Sequence, residues 1–584
     1  MPYREVLCAV IREIEAAAAP QLSALPRSVL DGILRRYPRD GRGFFSRSEL
    51  IAGYRAFAGA EGFALDEASF VARVQMRPVR TQSGVTPVTV LTKPFPCPGQ
   101  CVFCPNDVRM PKSYLSAEPG CQRAEANGFD PYLQTYQRLR AFHAIGHPTD
   151  KAELIVLGGT FSYYPEAYRR WFIKRCFDAF NDFGAGRDAC ASAEAQSLSL
   201  AELRDVVDGA RLGQPRAATY NRVVTHFLRE RAGGALTETF EQASWDELRA
   251  AQAENERSRT RNVGLVLETR PDHIDAEEIV MLRRLGCTKV QLGYQTLSDQ
   301  VLSANKRGHD VAATRRATGM LRAAGFKILA HLMPNLLGAT PESDLEDIVQ
   351  LFDDPAFRPD ELKLYPCSLI ETAELMRYYQ AGEYRPYEPE ELLAVVCEAL
   401  QRAPRYCRLA RVIRDISSGD IVAGNRLSNL REVAERRLRA QGVRLVDIRS
   451  REIKHKAHGE ARLRVTEYAT SVSTERFIEL VTDDDALLGF CRLSLPLAAA
   501  DGELQDSAMI RELHVYGASL ALGQAPRADA QHRGYGTRLL NEASRLAAAA
   551  GFRGLAVISA VGTRPYYRAR GFRDGELYQH LTLS

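Results

Sequence analysis

No stretch of this 584-residue sequence is an uninterrupted apolar run of the ~18–20 residues that a bilayer crossing requires. The opening MPYREVLCAVIREIEAAAAP carries Glu5, Glu13 and Glu15 where a secretory leader would keep an apolar core. Both absences predict a cytoplasmic protein with no membrane partner. Two separated cysteine pairs, as a zinc ribbon would carry, are missing as well. Twelve cysteines are scattered and only three cluster, which argues against a disulfide framework. Isolated cysteines such as Cys176, Cys287 and Cys491 lie in apolar surroundings and read as small core residues. No internal repeat occurs. Charge of one sign is also lacking overall, with 77 Lys and Arg against 73 Asp and Glu. The imbalance is local: residues 401 to 470 hold 17 Lys and Arg but 8 Asp and Glu. Such an excess suits either a polyanion or a solvated helix face.

The chain is long enough for two or three domains, and 45% hydrophobic content supplies ample core. Residues 1–78 carry apolar residues at helical spacing in EVLCAVIREIEAA and SVLDGILRRYP. SRSELIAGYRAF adds a Ser cap with Glu three residues later. A small helical domain is predicted there, ending near Arg77 and Arg80. From 79 to 400, apolar runs alternate with helical stretches. The predicted strands are VTPVTVLT, AELIVLGG, NVGLVLETR, TKVQLGYQT, FKILAHLMP and DELKLYP. This α/β alternation implies a parallel sheet curled into a full or partial barrel. Polar, Ala-rich sequence near 183–260 interrupts it as a helical insertion. A basic connector at 401–465 leads to a mixed α/β domain at 466–584.

Two stretches carry chemistry. The first, CPGQCVFC, places Cys97, Cys101 and Cys104 within eight residues, just after the first predicted barrel strand. Barrels of this kind build their active sites at that end of the strands. Three thiolates can hold three irons of a 4Fe-4S cube and leave the fourth iron open. A zinc site would need a fourth ligand, for which Cys121, His143 and His147 are the downstream candidates. Gly158, Gly159 and Thr160 end the next strand, and Glu268 and Gln295 end later ones. All five are candidate contacts for a cofactor, or ordinary strand-end residues.

The second stretch, QHRGYG, opens a helix after a strand and loop and places Gln531, Gly534, Tyr535, Gly536 and Thr537 at its start. Free amides at a helix N-terminus suit a pyrophosphate. ELHV, from Glu512 through Leu513 and His514 to Val515, reads as a strand able to pair with an extended ligand arm. Tyr566 and Tyr567 follow in RPYYRARGF, as core aromatics or as ligand contacts.

The cysteine trio closely resembles the radical S-adenosylmethionine (SAM) superfamily, and QHRGYG resembles the signature of the GNAT class of N-acetyltransferases. Their combination, with RPVRTQSGV, GGTF, LETRPD, QLGYQT, NKRGH, HLMPNLLG and IRELHVYG, resembles the catalytic subunit of Elongator and its stand-alone microbial relatives. The resemblance implies a radical SAM partial (β/α) barrel fused to a C-terminal GNAT-like acetyltransferase domain, with a helical N-terminal tRNA-binding domain. It implies a 4Fe-4S cluster on Cys97, Cys101 and Cys104, with S-adenosyl-L-methionine and acetyl-CoA as further cofactors. The implied reaction builds 5-carboxymethyluridine at the wobble uridine of tRNA. A 5′-deoxyadenosyl radical takes hydrogen from the acetyl methyl group, and the carbon radical adds to the uracil.

Carried over residue by residue, Lys151, Glu512, Leu513, His514, Val515, Tyr535, Gly536, Thr537 and Tyr567 fall on acetyl-CoA contacts. Lys151, Tyr566 and Tyr567 are the catalytic candidates. Lys306, Arg307 and the basic connector are candidate tRNA holders. The family also accommodates a homodimer or accessory subunits. Connector cysteines that bind zinc in many microbial relatives are missing from AGNRLSNL and QGVRLVDIRS, so no zinc is expected there. Other readings are a protein lysine acetyltransferase with a structural radical SAM domain, a radical enzyme with another substrate, and a non-catalytic tRNA-binding subunit.

Overall fold

The computed structural model describes residues 3–18, 24–39, 43–75, 83–195, 216–453, 460–498, 502–516 and 534–583. Helices α1 (Arg4–Ala16), α2 (Arg27–Arg36), α3 (Arg47–Glu61) and α4 (Glu67–Val74) come first. The Ser46 hydroxyl accepts the Glu49 amide at 3.2 Å, and the Ser46 amide donates back to the Glu49 carboxylate at 2.8 Å. This is the reciprocal cap that SRSE encodes. Leu7, Val10, Ile11 and Ile14 of α1 pack against Leu50, Ile51, Tyr54 and Phe70. Arg73 donates to the carbonyls of Ile14, Glu15 and Ala17 at 2.8, 2.9 and 2.7 Å. One guanidinium thereby satisfies the open end of α1. Arg77 and Arg80 lie outside the described residues.

Seven parallel strands follow in sequential order: β1 (Thr86–Leu91), β2 (Lys151–Leu157), β3 (Arg261–Thr269), β4 (Lys289–Gln295), β5 (Lys327–Leu332), β6 (Glu361–Leu364) and β7 (Arg408–Arg411). The sheet forms a half-barrel. Six strands stand where the apolar runs predict them. The seventh lies in the stretch expected as a connector, and this corrects that boundary. Four residues are too few to show a period. Pairing with β6, as in Leu362 with Leu409, is what makes them a strand. Helices at Arg216–Arg231 and Trp245–Asn255 occupy the expected insertion. No helix among the described residues is long and apolar enough to cross a membrane.

The second sheet has the order β8-β9-β10-β11-β12-β14-β13. Its strands are β8 (Arg462–Ala469), β9 (Ser473–Val481), β10 (Leu487–Pro496), β11 (Ser507–Val515), β12 (Gly554–Val557), β13 (Arg573–Asp574) and β14 (Gln579–Thr582). Helix Tyr535–Ala549 covers one face, with Leu539, Leu540 and Ala543 packed on Leu493 and Ile510. The β10–β11 register passes from Arg492–Glu512 directly to Leu493–Ile510, which leaves Arg511 in a bulge. Bulges re-aim side chains. Here the bulged residue reaches the barrel.

Arg511 donates to both oxygens of Asp360 at 2.7 Å, and to Glu475 at 2.8 Å. Arg492 stands 3.4 Å and Arg322 3.9 Å from the same carboxylate, which is fully buried. Asp360 immediately precedes β6, so this knot attaches the C-terminal sheet to the N-terminal mouth of the barrel. Burial alone would raise the Asp360 pKa; the guanidiniums of Arg511, Arg492 and Arg322 overcome it and hold the carboxyl far below its usual range. A depressed carboxylate stabilises the fold above its unfolded pKa of ~3.9, and that contribution fades as pH falls toward the folded value. Asp360→Asn removes the carboxylate that three buried guanidiniums share and is expected to cost about 3–5 kcal/mol. Urea unfolding at pH 7 checks this, and the deficit should shrink as the pH is lowered below 4.

Candidate active site

The cysteine loop leaves the C-terminal end of β1 and crosses the upper mouth of the barrel. The amide of Val102 donates to Asn305 O at 3.2 Å, and its carbonyl accepts the Leu375 amide at 2.8 Å. Cys101 and Cys104 are buried and Cys97 is partly exposed. All three face a cavity of about 840 Å³ whose walls include Gly159, Thr160, Glu268 and Gln295. The barrel thus brings together four residues from three separate stretches of chain with the thiols. Gly158, the fifth candidate, precedes Gly159 but does not line the cavity. Its φ is +135°, and a Cβ there would sit 1.8 Å from Thr92 Oγ1, so only glycine fits.

Arg307 Nη1 donates to Cys101 Sγ at 3.3 Å, and Arg270 Nη1 is a buried donor with no hydrogen-bond partner. The Cys101 pKa falls because the Cys104 thiol donates to it, and Arg307 and Arg270 outweigh the cost of burial. The Cys104 thiol is pushed up by that same bond and by burial. Burial also raises Cys97. Three sulfur donors on one loop, faced by guanidiniums, suit an anionic iron–sulfur group. Among the described residues no three His, Cys, Asp or Glu converge on a single-ion geometry. Cys121 packs in the hydrophobic core and also borders the cavity, while His147 meets Gln75 at 3.0 Å.

Deeper in the cavity, Glu268 accepts from Tyr114 at 2.8 Å and lies 3.9 Å from His331. Burial raises the Glu268 pKa, with Lys363 and Tyr114 opposing. Burial keeps His331 neutral, reinforced by Lys363, Arg414 and Arg307. Gln295 has φ +71° and a buried Oε1 without a partner, both facing the cavity rim. A strained residue with an open acceptor is a common mark of a ligand contact.

Sequence reasoning missed several of these residues. Asn221, in the insertion, accepts the Cys97 amide and donates to the Cys97 carbonyl, both at 2.9 Å. Tyr220 donates to Met110 O at 2.7 Å, and Lys112 lies 4.8 Å from its ring. Tyr114, His331, Lys363 and Arg414 were also missed; no local motif marks them. Arg307, expected among the tRNA holders, turns inward instead and is 7% exposed. Lys306 stays outside and pairs with Glu374.

The other candidates gather on the C-terminal sheet. β11 pairs with β12 from Ser507 to Ile510, and Glu512 to Val515 continue β11 beyond that pairing, alongside β10 on the other side. Helix Tyr535–Ala549 begins beside this stretch. A Cβ on Gly536 would lie 2.6 Å from the Tyr566 hydroxyl and 4.0 Å from Val515. Gly534 caps the helix at φ +73°, and no side chain supplies the cap bond. Tyr535 is buried and Thr537 exposed. Tyr567 is 6% exposed within the core, whereas Tyr566 is half-buried beneath Arg570. His514 Nε2 is buried without a partner, and burial lowers its pKa. Leu513 packs partly on the core. Gln531 lies outside the described residues. Lys151 opens β2, at the barrel end opposite the thiols, with its pKa lowered by burial.

The clamp on Cys97 is testable. Asn221→Ala removes two partly buried hydrogen bonds, and iron is expected to leave the reconstituted protein about tenfold faster in air. Loss of the absorbance of bound iron–sulfide measures it, with unfolding of the iron-free protein as the control.

Residues 239–352 match the Radical SAM superfamily, and residues 359–440 match the Radical_SAM C-terminal domain. A tRNA uridine(34) acetyltransferase of Methanocaldococcus infernus is 34% identical, covering 96% of this chain and 99% of its own. One from Dehalococcoides mccartyi is 36% identical over 86% and 99% of the two chains. Human Elongator complex protein 3 is 32% identical over 86% and 84%. The solved structure of M. infernus Elp3 with an N-terminal deletion superimposes with a TM-score of 0.67, covering 86% of this chain and all of that one at 32% identity. With a third of its residues identical over most of both lengths, this chain belongs to the family of Elongator complex protein 3 and the tRNA uridine(34) acetyltransferases, within the Radical SAM superfamily.

Proposed function

We propose that this protein modifies the wobble uridine of tRNA to 5-carboxymethyluridine, using S-adenosyl-L-methionine and acetyl-CoA. One observation carries the reading. A chamber lined by three thiols and the end of β11 beside an open helix N-terminus stand at opposite mouths of one barrel. The relatives' name, tRNA uridine(34) acetyltransferase, supports the substrate.

In this reading Cys97, Cys101 and Cys104 hold the 4Fe-4S cluster, which with S-adenosyl-L-methionine supplies a hydrogen-abstracting radical. Arg307 and Arg270 balance the thiolate charge, and Asn221 holds the loop end in place. Gly158, Gly159, Thr160, Glu268 and Gln295 orient the sulfonium ligand from the strand ends. The enclosing wall excludes water, which a primary alkyl radical requires if it is to meet only its intended partner. The C-terminal sheet acts as the GNAT-like lobe. Amides of Gly534, Tyr535, Gly536 and Thr537 face the pyrophosphate, and Glu512–Val515 pair with the pantetheine arm. The absence of any Cβ at Gly536 lets Tyr566 close over that end, and Tyr567 supports it from the core. Residues 1–78 and the basic stretch after 401 hold the tRNA, with the target base turned out of its loop.

Anaerobic incubation with reductant, S-adenosyl-L-methionine, acetyl-CoA and unmodified tRNA tests the reading. Carboxymethyluridine should appear in the nucleoside digest and fall at least about 100-fold in Cys101→Ser, as expected for loss of an essential catalytic part. Acetylation of a protein substrate at undiminished rate in that variant, without the nucleoside, would instead favour a lysine acetyltransferase.

A further inference from the structure

Two guanidiniums stand against the cysteine loop, and their hydrogen bonds are not equally complete. Arg270 follows β3, and its Nε and Nη2 hold the two oxygens of Asp272 at 2.9 and 2.7 Å. Nη2 also donates to Arg307 O at 2.7 Å. Three of the five N–H bonds are thereby used, which fixes the plane of the group. The other two are on Nη1, which is buried without a partner among the described residues. Arg307 donates through Nη1 to Cys101 Sγ at 3.3 Å and through Nη2 to Gly293 O at 3.0 Å.

Glycine makes room for both groups. A Cβ on Gly99, between Cys97 and Cys101, would run into Arg270 Nη1, and one on Gly293 would lie 2.6 Å from Arg307 Nη2. The Gly99 amide itself donates to Cys97 Sγ at 3.4 Å. Cys97, Gly99, Cys101, Arg270, Gly293 and Arg307 all line the 840 Å³ cavity. A pair of charged N–H donors left idle in a buried site is costly unless a ligand arrives to accept them. The acceptors that the cysteine loop would bring there are sulfurs of the iron–sulfur group.

We propose that Arg270, pinned by Asp272, donates through Nη1 to sulfur of the iron–sulfur group and so raises the group's reduction potential. This rests on the cluster reading of Cys97, Cys101 and Cys104 given above. Reduction adds one electron from an external one-electron donor; no bond breaks and no proton moves. The added negative charge spreads over sulfur, so a charged donor held against it favours the reduced form over the oxidised one. Burial keeps salt from screening that contact. The guanidinium cannot swing aside cheaply, because Asp272 and the Arg307 carbonyl hold its other end.

The test is a potential, read without turnover. The full chain is reconstituted with iron and sulfide under nitrogen, and a mediated titration follows the electron paramagnetic resonance of the reduced form. Only loaded molecules give that signal, so partial loading of a variant does not distort the midpoint. Arg270→Gln should shift the reduction equilibrium about tenfold toward the oxidised form, or about 59 mV for one electron. Gly99→Ala keeps every charge, displaces Nη1 and adds no backbone strain, since Gly99 has no positive φ. It should shift the equilibrium about threefold or more in the same direction. Lys306→Met removes a neighbouring cation from the outer side, where solvent screens it, and should stay within about twofold. An unchanged or raised potential in Arg270→Gln would overturn the proposal. So would a full shift there with none in Gly99→Ala, because charge at a distance would then suffice. Loading by neither variant, with unchanged melting of the iron-free protein, would make these residues holders of the loop and overturn it as well. Failure of the unaltered protein to load iron and sulfide would instead remove the cluster reading itself.

Discussion

Asp360 and the guanidiniums around it decide how the molecule is put together. Five cations (Lys289, Lys327, Arg322, Arg492 and Arg511) meet five anions (Glu153, Glu361, Asp360, Glu475 and Glu512) across the junction of barrel and C-terminal sheet. A balanced buried set of this kind gains little over apolar packing, yet losing one member leaves its partners charged and dry. Its value lies in exact geometry: bidentate arginine–carboxylate pairs admit one orientation where oily surfaces admit several. The C-terminal sheet is therefore held at the mouth opposite the thiols.

That arrangement accounts for the polar interior. A barrel that only had to be stable would fill its bore with Val, Ile and Leu. This one places Lys289, Gln291, His331, Glu361 and Lys363 there and satisfies them against one another, while Lys327 pairs with Glu512 of the C-terminal sheet. Such a network accepts a polar guest by exchanging partners, which a packed apolar core cannot do. The opposite mouth follows the same logic. Arg307 and Arg270 lie against the thiols because sulfur donors in a buried loop need positive charge nearby.

How much of this was legible depends on the range of the interaction. The Ser46–Glu49 cap is a matter of three residues, and it stands as the sequence reads. Six barrel strands carry long enough apolar runs to declare themselves; β7, with four residues, does not. The alternation in KVQLGYQ is visible in the sequence, but its meaning depends on knowing which face is the bore. Asn221 is 124 residues from the cysteine it clamps, inside a stretch whose composition suggests only a solvated insertion. Arg307 looked like a rim cation because it neighbours Lys306. The left-handed turn at Lys306, φ +51°, sends the two side chains to opposite sides.

The amino-acid order alone determined the parts: three thiols at cluster spacing, parallel strands with crossover helices, and a glycine-bordered helix start after a strand. These are local signals, since spacing and periodicity act over a turn or a strand. Tertiary structure alone decided how the parts face each other. Arg511 and Asp360 are 151 residues apart, and nothing near either one names the other. Which end of the barrel receives the second sheet is settled by charges that pair only once the chain has folded.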